Sequence, residues 1–276
     1  MPFLVSAFSV PKRDANASEN QDAVWPRLIR AKNDEPSAGR KVLASNEGRV
    51  FVGVADGATE GVLAREWASI VLKSLSNTAR NAKSADDIML LFDKALRKWG
   101  LFKRLRTMNG TKSLTALPTW LEHEAVARGA FATACVAWFG DNGEWSGAAI
   151  GDSCMFQLRQ DELIEAWPLS ASSEFNNSPY LVSSEAACNL ELTKHIKTCH
   201  QKKWEAADRF YFATDALACW ILKQYESQAS PWNKLANFDA IAAPEDFSAF
   251  VEAIRDAGEI RNDDTTLVCV TFMPNS

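Results

Sequence analysis

The chain has 276 residues, of which 47% are hydrophobic and 24% charged, and a formal net charge of −5. This is ordinary globular composition and excludes disorder over most of the length. The acidic balance excludes a nucleic-acid binder, which needs a basic face to neutralise phosphates, and a protein that adheres to anionic membranes.

In chain order, Met1 to Phe8 is apolar, but its basic residues Lys12 and Arg13 follow it, the wrong order for a secretory leader. It reads as a first strand. No stretch is long enough to cross a bilayer. A cytoplasmic location is expected, and the six cysteines, with no Cys-x-x-Cys pair, are expected to be reduced. His195, Cys199 and His200 lie close together, but adjacent residues on a strand face opposite ways, so zinc is not expected there.

Ala23 to Arg30 reads as a strand, and the polar stretch 30–49, with Pro36 and Gly39, as a loop or hairpin tip. Val50 to Ala55 is an apolar, β-branched run, a buried strand that stops at Asp56-Gly57. Two helices follow. Leu63, Trp67, Ile70, Val71 and Leu75 share one face, and Ile88, Leu91, Phe92, Ala95, Leu96, Trp99 and Phe102 share another. Ser84, ahead of Asp86 and Asp87, is a suitable start for the second. Trp67 and Trp99 are core residues on this reading. A shorter helix is expected over Trp120 to Arg128.

From Ala130 the period changes to two. Strands are expected over Phe131–Phe139, Gly143–Ile150, Cys154–Leu158 and Leu163–Trp167, broken at Gly140–Gly143, Gly151–Ser153 and Gln160-Asp161. Residues 170–185 read as a loop, either a surface connection or a flap. Arg209 to Thr214 is a strand ending at Asp215. Helices are expected at 216–226 and 245–257, and Leu267 to Phe272 is a closing strand. Trp232, after Pro231, is expected to be exposed. The order of elements predicts an α+β fold, two antiparallel sheets sandwiched between helix layers, in a single domain over residues 1–276.

The acids fall at strand ends. Asp56 and Asp215 follow strands, Asp22, Asp263 and Asp264 precede them, and Asp152 sits in a turn between two. If the last strand runs antiparallel to the others, these carboxylates meet at one rim. Crowded carboxylates raise one another's pKa unless a cation intervenes. Hard oxygens without histidine or thiolate select Mg²⁺, Mn²⁺ or Ca²⁺. A single Asp at a strand end is more often a turn former, so placement alone leaves both roles open.

Five segments together resemble the motifs of the type 2C metal-dependent protein phosphatases, over about Val5 to Phe272. They are Glu19-Asn20-Gln21-Asp22-Ala23, Val52 to Gly61 around Asp56-Gly57, Ala132-Thr133-Ala134 with Ala149 to Ser153, Phe212-Ala213-Thr214-Asp215, and Asn262 to Thr266. The resemblance implies a metal-dependent serine/threonine phosphoprotein phosphatase, in which a water activated by two Mg²⁺ or Mn²⁺ ions attacks phosphorus without a covalent intermediate. It implies that Asp56 bridges the ions, the Gly57 carbonyl binds one, and Asp215 and Asp263 complete the other. Asp22 would hold an ion directly or through water, and Asp152 would serve a third, weaker site with Asp215.

The partners implied are a phosphoserine or phosphothreonine protein and a cognate serine/threonine kinase. The chain departs from the pattern at Ala17, where an arginine that grips phosphate is usual; Arg13 or Lys12 is the substitute offered, beside a reading of both as solvated charges. Cys154 and Ala216 replace a usual arginine and glycine. The rival readings are a catalytically weak, phosphoprotein-binding pseudophosphatase and a small-phosphoester hydrolase. No phosphate-cradling Gly-rich loop and no Gly-x-Ser-x-Gly elbow is present, which removes support for an NTPase or a serine hydrolase.

Overall fold

Alternating side chains along each buried strand point to two different apolar layers, and this splits the core in three. The computed structural model describes residues 2–28, 37–43, 49–58, 63–76, 84–108, 129–176, 178–239 and 243–272. The expected helix over Trp120–Arg128 lies outside them.

The strands are β1 (Phe3–Val10), β2 (Ala23–Trp25), β3 (Ser37–Leu43), β4 (Arg49–Ala55), β5 (Phe131–Ala132), β6 (Ala134–Gly140), β7 (Glu144–Ile150), β8 (Cys154–Arg159), β9 (Glu162–Trp167), β10 (Val182–Ser183), β11 (Lys197–Lys203), β12 (Arg209–Ala213) and β13 (Thr265–Phe272). The helices are α1 (Ala64–Ser76), α2 (Ala85–Met108), α3 (Leu192–His195), α4 (Asp215–Glu226), α5 (Trp232–Leu235) and α6 (Pro244–Asp256). One sheet has the order β3-β1-β13-β12-β8-β9, the other β11-β7-β6-β4-β2, and β5 pairs with β10. Every strand pairing in them is antiparallel.

Between the sheets lie Phe3 and Val5 of β1, Val52 and Val54 of β4, Phe139 of β6, Phe210 and Phe212 of β12 and Val268 and Val270 of β13. The alternate residues face the helices. Val136, Trp138 and Ile150 pack under Trp67, Val71, Leu91 and Phe92 of α1 and α2. Phe156, Tyr211, Leu267 and Cys269 pack under Leu217, Trp220, Ile221, Phe247 and Val251 of α4 and α6. The layers run helix, sheet, sheet, helix. Period two on the strands and a one-sided apolar stripe on each helix are what such layers require.

α2 begins as the sequence leads one to expect. The Asp87 N–H donates to Ser84 Oγ at 3.2 Å and the Ser84 N–H to Asp87 Oδ2 at 3.1 Å, a reciprocal cap. Trp67 and Trp99 are buried and meet edge to face.

Five local expectations are corrected. Residues 37–43 are a strand, because edge pairing to β1 uses backbone groups and needs no apolar side chains. β2 stops after Trp25, where Pro26 has no N–H for the ladder. The expected strand over 131–139 is interrupted at Thr133, and the 170–185 segment contains a 3₁₀ turn over Ser172–Glu174 and the strand β10. Trp232 is buried at 2% exposure, its ring 5.9 Å from that of Phe156 and stacked parallel to Tyr211. All six cysteines are free, with Cys199 buried and His200 exposed. No helix among the described residues is long and apolar enough to cross a membrane.

Candidate metal centre

Register brings the acids together. Ala23 pairs with Ala55, so Asp22 and Asp56 stand side by side at one end of β2 and β4. Ala213 pairs with both Leu267 and Cys154, so Asp215, the Asp263-Asp264 pair and Asp152 gather at the same end of the other sheet. The two groups share one rim of the sandwich, and the charges show it. The Asp56 carboxyl feels Asp263, Asp152 and Asp264, and Asp22 feels Asp56 and Asp264.

Hydrogen bonds set the rim in place. The Thr133 N–H donates to the Asp56 carbonyl at 2.9 Å, and the Asp56 N–H to Thr133 Oγ1 at 3.0 Å. Thr133 Oγ1 in turn lies 2.7 Å from Ser153 Oγ. Thr214 Oγ1 donates to Asp22 Oδ2 at 3.1 Å and accepts from the Thr266 N–H at 3.0 Å. Asn20 Oδ1 accepts the Asp22 N–H at 2.9 Å, while its amide donates to Ser9. Gly57 is required by close approach: a Cβ there would lie 2.8 Å from the Gln21 carbonyl oxygen and 2.9 Å from Ala64. Gly151 holds φ +84°, which turns the chain from β7 towards Asp152.

The electrostatics are those of a cluster short of positive charge. Burial, then Asp263, Asp152 and Asp264, push the Asp56 carboxyl up to about 7, against the opposing charge of Arg261. Burial above all pushes Asp152 up to about 6. Asp22 is held well above the carboxylate range by burial and by Asp56, in spite of bonds from Thr266 and Thr214. Asp22 and Asp152 are almost wholly buried, and among the described residues Oδ1 of each finds no hydrogen-bond partner. Orphaned buried oxygens are costly, and a cation of matching hardness removes that cost.

Asp263 and Asp264 divide their work. Asp264 is buried and accepts the Gln21 N–H at 2.7 Å and the Lys12 N–H at 2.9 Å, which ties the closing loop to the segment before β2. Asp263 turns outward to Arg261. The Arg261 guanidinium contacts Asp215 through Nη2 and lies 3.4 Å from Asp263 Oδ2 through Nε. Among the described residues no three His, Cys, Asp or Glu side chains close on a common point as a finished ligand set. The oxygen chemistry still suits Mg²⁺ or Mn²⁺. The neighbouring Cys154 is no competitor, since burial pushes its thiol far up and its Sγ–H faces the Asp152 carbonyl.

Arg13 lies against α6, where its guanidinium pairs with Glu252 at 2.6 Å and with Asp256. Sequence reasoning passed over Arg65 and Arg261. Arg65, on the first turn of α1, donates to the Ala17 carbonyl at 3.4 Å and stands in the field of Asp22 and Asp264. Burial pushes its pKa down, helped by Arg27 and opposed by the charges of Asp22, Glu66 and Asp264. Nothing in the local sequence around Arg65 or Arg261 marks either of them.

No family model matches this sequence, and no curated protein does. Solved structures do. The serine/threonine phosphatase PstP/Ppp of Mycobacterium tuberculosis superposes with a TM-score of 0.59 at 14% identity, covering 99% of this chain and 100% of that one. The catalytic domain of PstP in complex with two manganese ions gives 0.56 at 14% identity, covering 98% and 99%. The S. agalactiae serine/threonine phosphatase gives 0.56 at 14% identity, covering 98% and 100%. At such identity the likeness speaks for architecture, and it agrees with the five sequence segments: this chain has the fold of the type 2C metal-dependent serine/threonine phosphatases.

Proposed function

We propose that this chain, as one catalytic domain over residues 1–276, is an Mg²⁺- or Mn²⁺-dependent phosphatase of phosphoserine and phosphothreonine proteins. One observation carries the reading. Asp22, Asp56, Asp152, Asp215 and Asp263 come from five separate segments yet meet at one rim, where two buried carboxylate oxygens have no partner among the described residues. A purely structural role gives no reason to assemble so much uncompensated charge.

Asp56, the Gly57 carbonyl, Asp215 and Asp263 are the residues proposed to hold two ions, with Asp22 at the edge and Asp152 serving a third site with Asp215. The ions, when bound, supply Lewis acidity towards water and the phosphoryl oxygens. The chain's own part is positioning. Thr133 fixes the Asp56 backbone on both sides, Thr214 orients Asp22, and Asp264 staples the loop that carries Asp263. A phosphate dianion approaching this rim needs positive charge. Arg13 can offer it only by leaving Glu252 and Asp256, whereas Arg65 holds a long bond to a backbone carbonyl and, among the described residues, pairs with no carboxylate, so Arg65 is the better placed of the two.

The test is hydrolysis of a phosphothreonine peptide and of an aryl phosphate with Mn²⁺, with EDTA as control. Asp56→Asn and Asp263→Asn are expected to lower kcat by about 10²-fold or more while far-UV circular dichroism stays unchanged. Wild-type silence with Mn²⁺ bound would favour the phosphoprotein-binding module, a reading that buried Ala17 in the usual arginine slot supports. Turnover of the aryl phosphate alone would favour a small-ester hydrolase. A cognate serine/threonine kinase is the proposed partner, whose products this enzyme would reverse.

A further inference from the structure

Arg261 sits where positive charge is most needed. Its Nη2 meets Asp215 and its Nε lies 3.4 Å from Asp263, and the same charge pulls down the raised carboxyls of Asp56 and Asp152. One guanidinium therefore serves four carboxylates. Its surroundings differ in how firmly they are held. The backbone of the loop between α6 and β13 is pinned: Arg255 Nη2 donates to the Asp263 carbonyl at 2.5 Å, the Arg13 N–H to Asn262 Oδ1 at 2.7 Å, and the Lys12 N–H to Asp264 Oδ1 at 2.9 Å. The Arg261 side chain itself is 47% exposed, against 7% for Asp215. It can turn towards water while the buried Asp215 stays; Asp263, at 43%, is about as exposed as Arg261 itself.

We propose that Arg261 is the internal cation of the centre and sets the metal affinity of the Asp215–Asp263 pair. It neutralises that pair when no ion is present and must swing out before a divalent ion can use the same oxygens. Two cations cannot occupy one set of carboxylate oxygens, so the affinity there is reduced by the free energy of the guanidinium contacts. The ion held on the Asp56 side meets Arg261 through its field and not through contact, and binds first. The centre then fills in two steps of unequal strength. Arg261, once displaced, remains tethered beside the rim and available to an anion.

This rests on the metal reading above, so the test measures metal and not turnover. Full-length wild type, Arg261→Ala and Arg261→Lys are stripped with EDTA, desalted and titrated with Mn²⁺ by calorimetry, with the free ion followed by electron paramagnetic resonance. Arg261→Ala is expected to tighten the weaker Mn²⁺ step by about five- to ten-fold, with Arg261→Lys close to wild type because the charge is kept. In EDTA, Arg261→Ala should melt below wild type and gain more from Mn²⁺. Equal Mn²⁺ affinity for wild type and Arg261→Ala overturns the inference and leaves the metal centre standing. So does tightening by Arg261→Lys to the same degree as Arg261→Ala, since charge would not then be the cause. If neither wild type nor Arg261→Ala binds Mn²⁺, the metal reading fails and this inference with it. Should Arg261→Ala not fold without metal, Arg261→Gln keeps the polar stem and is held to the same comparison.

Discussion

Asp56 and Asp152 are carboxyls that the fold places where a negative charge is expensive. Their values of about 7 and about 6 stand above the ordinary 3.8. The folded protein therefore binds protons there more tightly than the unfolded chain, and their contribution is present at low pH and lost as pH rises through about 6 to 7. Carboxyls shifted the other way, such as Asp208 and Glu252, are held below their ordinary values and lose their contribution only at more acid pH. In EDTA the melting temperature is thus expected to fall between pH 5 and pH 7.5, and saturating Mn²⁺ should flatten that slope. Melting curves across this range check it; an EDTA melting temperature that climbed with pH would contradict the placement of these carboxyls.

The strands meet through a polar network as well as through apolar packing, and it lies within the sandwich. Trp145 of β7 donates from Nε1 to Gln157 Oε1 of β8 at 2.9 Å, so this bond crosses from one sheet to the other. Gln157 Nε2 donates to Asp208 Oδ2 at 2.7 Å and to the Lys203 carbonyl at 2.9 Å. Arg159 then clasps Asp208 with two bonds, of 2.7 and 2.9 Å. Burial alone would raise Asp208, but the bonds from Arg159, the Glu205 N–H and Gln157 outweigh it and hold the carboxyl low. Gln157→Leu keeps most of the volume but strands a buried indole N–H and takes one donor from the Lys203 carbonyl, while Asp208 Oδ2 keeps its bonds from Arg159 and the Glu205 N–H. It is expected to cost about 2–4 kcal/mol in urea denaturation, with Mn²⁺ affinity unchanged. A loss of Mn²⁺ binding in this variant would mean that the network reaches the rim.

Across the molecule, the inter-sheet layer holds the two halves of the rim at a fixed separation. Phe139 is its centre, its ring 4.7 Å from Phe210, 5.8 Å from Phe3 and 6.2 Å from Phe272. Phe139→Ala leaves a cavity that strands on both sides cannot close together, and is expected to cost about 3–5 kcal/mol by urea denaturation. A cost below about 1 kcal/mol would show that the sheets slide to fill the gap. Asp22 and Asp56 ride on one sheet, Asp215 and Asp263 on the other. An ion shared between them would stabilise the sandwich by mass action.

Much of this was legible along the chain. Strand alternation, helix stripes and the Ser84 cap depend on residues a few positions apart, so α1, α2, α4, α6 and the strands of both sheets other than β3 and β11 could be read locally, as could the acids at strand ends. Trp232 was misjudged because its burial depends on Phe156 and Tyr211, and 37–43 was missed because an edge strand is held by backbone pairing to β1, which side-chain pattern does not report. The linear order of residues determined which carboxylates stand at strand ends and with what local geometry. Only the folded arrangement decided which cation stands among them, because Arg261 meets Asp215, and Arg65 meets Ala17, across separations of many residues that no local rule couples. Charge acts through space, and space between distant segments exists only once the sheets have packed.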